Sequence, residues 1–260
     1  MHFRTILAAS AAVVLTAAAA QAAEVAALSG DNTISIVDTR AKKVVKTWNI
    51  SGASGKIAGI DVRPADGKLY ALAVDGNLYT VDTSSGKATM ASKLETMIPS
   101  SAWATVDFNP AADRLRVIGS DGTSLRINVD DGKVTKDGSL KYADSDASKG
   151  KTPKVVAGAY SNSFKGTKET TLYDIDASTG ALLRQVPPND GTLNTIGMLG
   201  VKGEVYAFDI WSDGQGKNEA WLMAADGLHS VDLATGKAGQ AIKIEGMKGQ
   251  VRDIAILPAM

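Results

Sequence analysis

The stretch Val251-Arg252-Asp253-Ile254-Ala255-Ile256-Leu257-Pro258 decides the fold. It follows the pattern of I-A-G-I-D-V-R-P at 57–64, where a four-strand unit begins, yet the sequence ends two residues later. Short runs with period-two apolar spacing, broken by Gly, Asp, Asn and Pro, fill the chain between these points, and sustained helical spacing is absent. Residues 57–94 read I-A-G-I-D-V-R-P, K-L-Y-A-L-A, N-L-Y-T-V-D and K-A-T-M-A-S. Residues 103–140 repeat the scheme as W-A-T-V-D-F-N-P, R-L-R-V-I-G, S-L-R-I-N and K-V-T-K-D. Two further units occupy 155–199 and 203–245. Four strands in about 45 residues is the size of one propeller blade. Residues 24–50 supply only three strands, E-V-A-A-L-S, T-I-S-I-V-D and K-V-V-K-T-W-N. The spare C-terminal strand completes them. The sequence therefore predicts an all-β fold, a five-bladed β-propeller closed by the C-terminal strand joining the N-terminal blade, with no open sheet edge at the join.

Arg4, an apolar run from Ile6 to Ala20 and the small-residue site Ala20-Gln21-Ala22 read as a secretory signal over 1–22, leaving a single propeller domain over 23–260. The run is too short to span a bilayer, which takes roughly 20 residues. No membrane insertion is expected after cleavage, and the expected location is periplasmic or secreted. The chain has no cysteine, which removes disulfides, thiolate metal sites and a cysteine nucleophile. Its 28 basic and 28 acidic residues balance, and losing Arg4 leaves 27 against 28, a net charge of −1. That balance, with the basic residues scattered, argues against nucleic acid as a partner. Among the two histidines, only His229 survives cleavage, and it aligns with Tyr79 and Leu125, a packing position.

Turns of the form V-D-T-S-S-G-K (81–87) recur at 127–133 and 231–237, with a related I-D-A-S-T-G-A at 175–181. An Asp or Asn opening such a turn accepts a bond from the backbone two residues on, and the Gly takes positive φ. These aspartates are expected to shape turns. Asp144 and Asp146 in Y-A-D-S-D-A-S resemble cation ligands, but the glycine and glutamate of a helix-loop-helix calcium site are missing, so a solvated loop is expected and no metal or other cofactor is assigned. Asp61, Asp107 and Asp209 recur near the ends of innermost strands. Paired carboxylates hydrolyse glycosides, and this is the alternative functional reading. A repeat-wide Asp more simply serves the fold, and aromatics total only 5%. No phosphate-cradling glycine loop and no G-x-S-x-G is present.

Loop lengths are uneven. The face reached by the first-to-second and third-to-fourth strand turns receives 161–169, 187–191 and 211–218, along with Asn109-Pro110 and Arg63-Pro64. Asn162, Asn189, Asp190, Trp211 and Asp213 are expected to line one polar mouth with an aromatic floor, because loops on a rigid scaffold carry binding.

The blocks D-F-N-P-A-A-D-R-L-R-V (107–117), A-Y-S-N (159–162), T-L-Y-D-I-D (171–176) and P-P-N-D-G-T-L-N-T-I-G (187–197) resemble an exported bacterial family known as domain of unknown function 4394. The resemblance implies a propeller-like fold and export, and brings no activity, substrate or cofactor. Its motif positions here are Phe108, Asn109, Arg114, Arg116, Tyr160, Asn162, Asn189, Asp190 and Gly191. Y-A-D-S-D departs from the family's glycine-containing version. Together these readings name Asn109, Arg114, Arg116, Tyr160, Asn162, Asn189, Asp190, Asp209 and Trp211 as candidate binding residues. They point away from an enzyme and toward a module that binds a small ligand or an envelope protein.

Overall fold

The computed structural model describes residues 24–258. The signal reading over 1–22 lies outside them. Three N-terminal strands, β1 (Glu24–Ser29), β2 (Thr33–Asp38) and β3 (Lys43–Asn49), form most of blade 1. Blade 2 holds β4 (Ile57–Val62), β5 (Leu69–Ala73), β6 (Asn77–Val81) and β7 (Ala88–Lys93). Blade 3 holds β8 (Ala104–Asn109), β9 (Arg114–Gly119), β10 (Ser124–Ile127) and β11 (Val134–Lys136). After a short β12 (Lys141–Tyr142), blade 4 follows as β13 (Val155–Tyr160), β14 (Leu172–Asp176), β15 (Ala181–Gln185) and β16 (Thr192–Met198). Blade 5 contains β17 (Ala207–Ser212), β18 (Asn218–Ala224) and β19 (Gly227–Val231). Finally β20 (Val251–Leu257) pairs antiparallel with β1, setting Val25 opposite Ile256 and Ala27 opposite Ile254. The sheet order β20-β1-β2-β3 is the expected closure.

Period two explains the packing. Alternate residues of each inner strand face opposite neighbours, so both faces are buried and the inner strands are apolar almost throughout. Ala26 and Leu28 pack with Ile57 and Ile60 between blades 1 and 2, while Val25 and Ala27 turn toward Ala207 and Met223 of blade 5. Five such clusters occupy the five blade interfaces. Outer strands face water, as Lys43, Thr47 and Met90 show.

The repeated turns follow the expected chemistry. Asp82 Oδ1 accepts from Ser84 N at 2.7 Å and Asp232 Oδ1 accepts from Ala234 N at 2.8 Å. Gly86 closes its turn at φ 77°. The 175–181 turn lies between the second and third strands of its blade, where Asp176 Oδ1 accepts from Ser178 N at 2.8 Å.

Two segments differ from the sequence reading. Q-A-I-K-I (240–244) is not a full outer strand of blade 5. Residues 238–244 meet β19 only through isolated bridges, Leu228 with Ile242 and Val231 with Ala238. The chain then crosses to blade 1, where Val44 N donates to Glu245 O and Glu245 N donates to Lys42 O. Its backbone groups are satisfied by two blades instead of one. Within 141–153, β12 adds a parallel edge to β16, anchored by the Tyr142 hydroxyl donating to Asp176 Oδ2.

The closure makes the C-terminal strand structural. A chain ending at Gly249 strips β1 of its partner and exposes Ala26, Leu28 and Ile57. It is expected to lose cooperative thermal unfolding, and an unchanged melting curve would overturn the closure.

Candidate functional site

The inner strands β4, β8, β13, β17 and β20 surround the axis in that order, each packed beside the next. Each has one sheet partner, so its axial edge presents unpaired backbone N–H groups, which are costly when buried. Aspartates of the preceding blade supply the acceptors. Asp61 Oδ2 accepts from Phe108 N at 2.7 Å, Asp107 Oδ1 from Tyr160 N at 2.9 Å, and Asp209 Oδ2 from Ile256 N at 2.6 Å. The same repeat position is Ala159 in blade 4 and Ala255 in blade 1. In blade 1 the duty moves two residues earlier, to Asp253, whose Oδ2 accepts from Ile60 N at 2.8 Å. Asp61 and Asp209 each use their second oxygen for the next backbone N–H, Val62 and Ile210. No hydrogen bond reaches the second oxygen of Asp107 among the described residues.

Asp61, Asp107 and Asp209 bring carboxylate oxygens within 4.8 Å of one another. That spacing would let them surround a cation, but five of the six oxygens already hold backbone hydrogen. Burial, reinforced by Asp209, pushes the Asp61 carboxyl well above its ordinary range; burial together with Asp61 and Asp209 does the same to Asp107. Burial raises Asp209 to about 6 against two lowering backbone bonds. Because like charges this close resist joint ionisation, the cluster holds protons, and the free oxygen of Asp107 is the natural place for one.

A cavity of about 330 Å³ opens above this cluster on the face of the first-to-second strand loops. Asp61 and Asp209 line its floor, and Phe164, Lys165, Trp211 and Ser212 its walls. Trp211 and Asp209 both line this cavity. Phe164 and Lys165, inside the quoted loop 161–169, were not singled out by any motif.

The other candidates do not line this mouth. Asn162 (φ 54°) donates its backbone N–H to Asn218 Oδ1 at 2.7 Å and accepts from Asn218 Nδ2 at 3.0 Å, stapling two loops. Asn109 Oδ1 accepts from Ala111 N and Ala112 N at 3.0 and 2.9 Å. Arg114 Nη1 donates to Asp113 O at 2.8 Å. Asp213 closes its turn by accepting from Gln215 N at 2.7 Å, and Asp190 is exposed. Arg116, Tyr160 and Asn189 meet elsewhere, at the seam between blades 3 and 4. The buried Arg116 guanidinium donates to Tyr160 Oη at 3.1 Å, Ser124 Oγ at 3.0 Å, Asp137 Oδ2 at 2.5 Å and Asn189 Oδ1 at 2.8 Å. The Asp137 carboxyl, between Arg116 and Arg126, stays below the usual carboxylate range despite burial.

His229 is buried, with Nδ1 2.9 Å from Gly239 O and Nε2 3.0 Å from Asp226 Oδ1, a packing role. Asp144 pairs with Lys149 in solvent, whereas Asp146 accepts from Thr195 N at 2.6 Å and pins the loop to β16. A larger cavity of about 540 Å³ on the opposite face is lined by Met223, Ile244 and Met247 with Asp226 and Lys243. None of the axial carboxylates reaches it.

A family model described as "Domain of unknown function (DUF4394)" matches residues 33–255. No curated protein matches the sequence. Similar solved structures include a protein of unknown function from Bacteroides caccae, at 13% identity and TM-score 0.46 over 85% of this chain and 72% of that one. A second protein of unknown function, from Bacteroides thetaiotaomicron, matches at 17% identity and TM-score 0.52, covering 92% of this chain and 65% of its own. An auxiliary nutrient binding protein from the same species matches at 14% identity and TM-score 0.47, with 76% and 51% covered. The second likeness supports the fold and nothing beyond it.

Asp209→Asn keeps one good acceptor where two backbone N–H groups need one each, and is expected to cost roughly 1–3 kcal/mol of stability. Asp107→Asn preserves the single acceptor that Tyr160 N requires and is expected to cost less. Urea unfolding compares them, and equal losses would refute the edge-capping role. Folding holds protons on these carboxyls that the unfolded chain releases near pH 4. Stability therefore falls as pH rises, through about 6 for Asp209. The melting temperature is expected to be higher at pH 5 than at pH 8.

Proposed function

The chain belongs to the DUF4394 family, and from that premise we propose that it is a non-catalytic binding module of the cell envelope whose ligand enters the axial mouth. The observation that carries this reading is the cavity of about 330 Å³ with an acid floor and aromatic walls, Asp61 and Asp209 below Phe164 and Trp211. Concave sites of this size with a few convergent polar groups suit small ligands. The ligand class is a small molecule with hydrogen-bond donors and one apolar face: donors for the carboxyl floor, the apolar face for the indole and phenyl rings. Lys165 at the rim adds a positive charge for an acidic or carbonyl group.

Two considerations support binding over turnover. The floor carboxylates are engaged with backbone N–H groups of Val62, Phe108, Ile210 and Ile256, so moving them as acid and base would uncap the inner strands. The surrounding loops are each tied down by their own side chains, which suits a preformed site. Envelope location rests on the N-terminal signal pattern. Among the described residues, no helix is long and apolar enough to cross a membrane.

Thermal-shift titration of the exported chain with a panel of sugars, amino acids and polyamines tests the site. At least one class is expected to raise the melting temperature, and Trp211→Ala and Phe164→Ala should each abolish that rise when it is read against the variant's own unliganded melting temperature; Trp211→Ala lowers that baseline because the indole packs on the blade 5 core, so Phe164→Ala is the cleaner variant. A rise that survives both substitutions places binding elsewhere. Turnover of a glycoside by the purified chain, lost in Asp61→Asn, would instead favour the hydrolase reading.

A further inference from the structure

Aligned through their strand pairing, four blades place an apolar pair at the middle of their first and second strands. These are Ile60 with Ala71, Val106 with Val117, Phe208 with Leu222, and Ile254 with Ala27; each first residue pairs with the second directly or is its register neighbour. Blade 4 breaks the rule with Gly158 opposite Asp174. The exchange is complementary. A Cβ on Gly158 would lie 2.4 Å from Asp174 Oδ1 and 2.9 Å from Tyr173 O, so the glycine leaves room for the carboxyl group and for the neighbouring backbone. Asp174 is fully buried, and neither of its oxygens has a hydrogen-bond partner. The hydroxyl of the buried Thr105, on the facing strand β8, is also unpartnered. A repeat does not keep an orphaned acid at an apolar position for stability, since burying an unpaired polar group costs stability.

Asp174 faces the seam between blades 3 and 4. The groups presented there are Asp107 on β8, Arg116 on β9, Arg126 on β10 and Asp137 after β11, with Tyr160, Asp176 and Tyr142 from its own sheet. Asp107, Asp137 and Asp176 are bonded to their own partners. Arg116 is the charge that acts on Asp174. Its guanidinium has five N–H donors, and four bonds already run to Tyr160, Ser124, Asp137 and Asn189. The Asn189 bond holds the loop 187–191, whose backbone also accepts from Gly138 N and Lys141 N, both at 2.9 Å.

We propose that Asp174 is a proton-controlled latch: as a neutral acid it leaves Arg116 on Asn189, and as a carboxylate it draws Arg116 inward and releases the loop 187–191. The step is a proton lost to solvent from the Asp174 carboxyl group, with no covalent change. Burial raises this carboxyl to about 8 against the lowering pull of Arg116, so the latch is closed at neutral pH and opens in mild alkali. This inference is independent of the ligand at the axial mouth.

Hydrogen exchange of the full chain reads the latch at the Gly138 and Lys141 amides. Their protection factors, corrected for intrinsic exchange, are expected to fall about tenfold between pH 7 and pH 9 in the native chain, following one unit of ionisation past the midpoint. In Asp174→Asn, a neutral isostere, they should stay flat. Asp174→Leu, which removes the acid and leaves Gly158 in place, should also stay flat if the Asn variant does not fold. Protection that is flat in the native chain, or that falls equally in either variant, overturns the proposal.

Discussion

The ring depends on backbone N–H groups at the axial edges of its inner strands. A β-sheet always has two edges, and in a propeller the inner one meets other edges in a confined space where water cannot serve every group. Here carboxylates of one blade accept from the backbone of the next, Asp61 at Phe108, Asp107 at Tyr160, Asp209 at Ile256 and Asp253 at Ile60. These bonds tie neighbouring blades together at the axis, inside the apolar contacts that fill the blade interfaces. The price is a group of acids too close to ionise together. The same atoms that hold the ring also form the floor of its mouth.

Much of this was legible in the sequence because it is local and repeated. The three-strand N-terminal run, the spare strand at 251–258 and the Asp-to-Gly turns each follow from residue order, and the structure has all three. The outer segment of blade 5 was not legible. Q-A-I-K-I alternates like a strand, but only Ile242 bonds to its own blade, at Leu228, before Glu245 passes to Lys42 and Val44 some 200 residues away, and periodicity carries no information about that crossing. The polar mouth was half legible. Trp211 and Asp209 belong to an inner strand whose direction the repeat fixes, whereas the amide side chains of Asn162 and Asn189 turn to the nearest loop or guanidinium.

Arg116 marks the boundary between the two cases. The family motif singles it out, yet its role depends on Asp137, Ser124 and Tyr160, which lie in three different sequence blocks. Asp174 did carry a sequence signal. Lining up the second strands sets it against Ala71, Val117 and Leu222, and an acid in that column is an exception that alignment by turns alone passes over. Departures from a repeat are more informative than the repeat itself, since they mark where packing was traded for something else.

The pairing of β20 with β1 also governs the order in which the molecule can be built. Arg252 Nε donates to Gly30 O across a sequence separation of 222, and Asp253 reaches Ile60 across 193. A ribosome releases Glu24 long before Val251, so throughout synthesis the first strand waits with an open edge. Blades 2, 3 and 4, each contiguous, can form while it waits; blade 1 cannot. The ring therefore assembles from its middle outward, and blade 1 is the last to be made whole, when β20 reaches the open edge of β1.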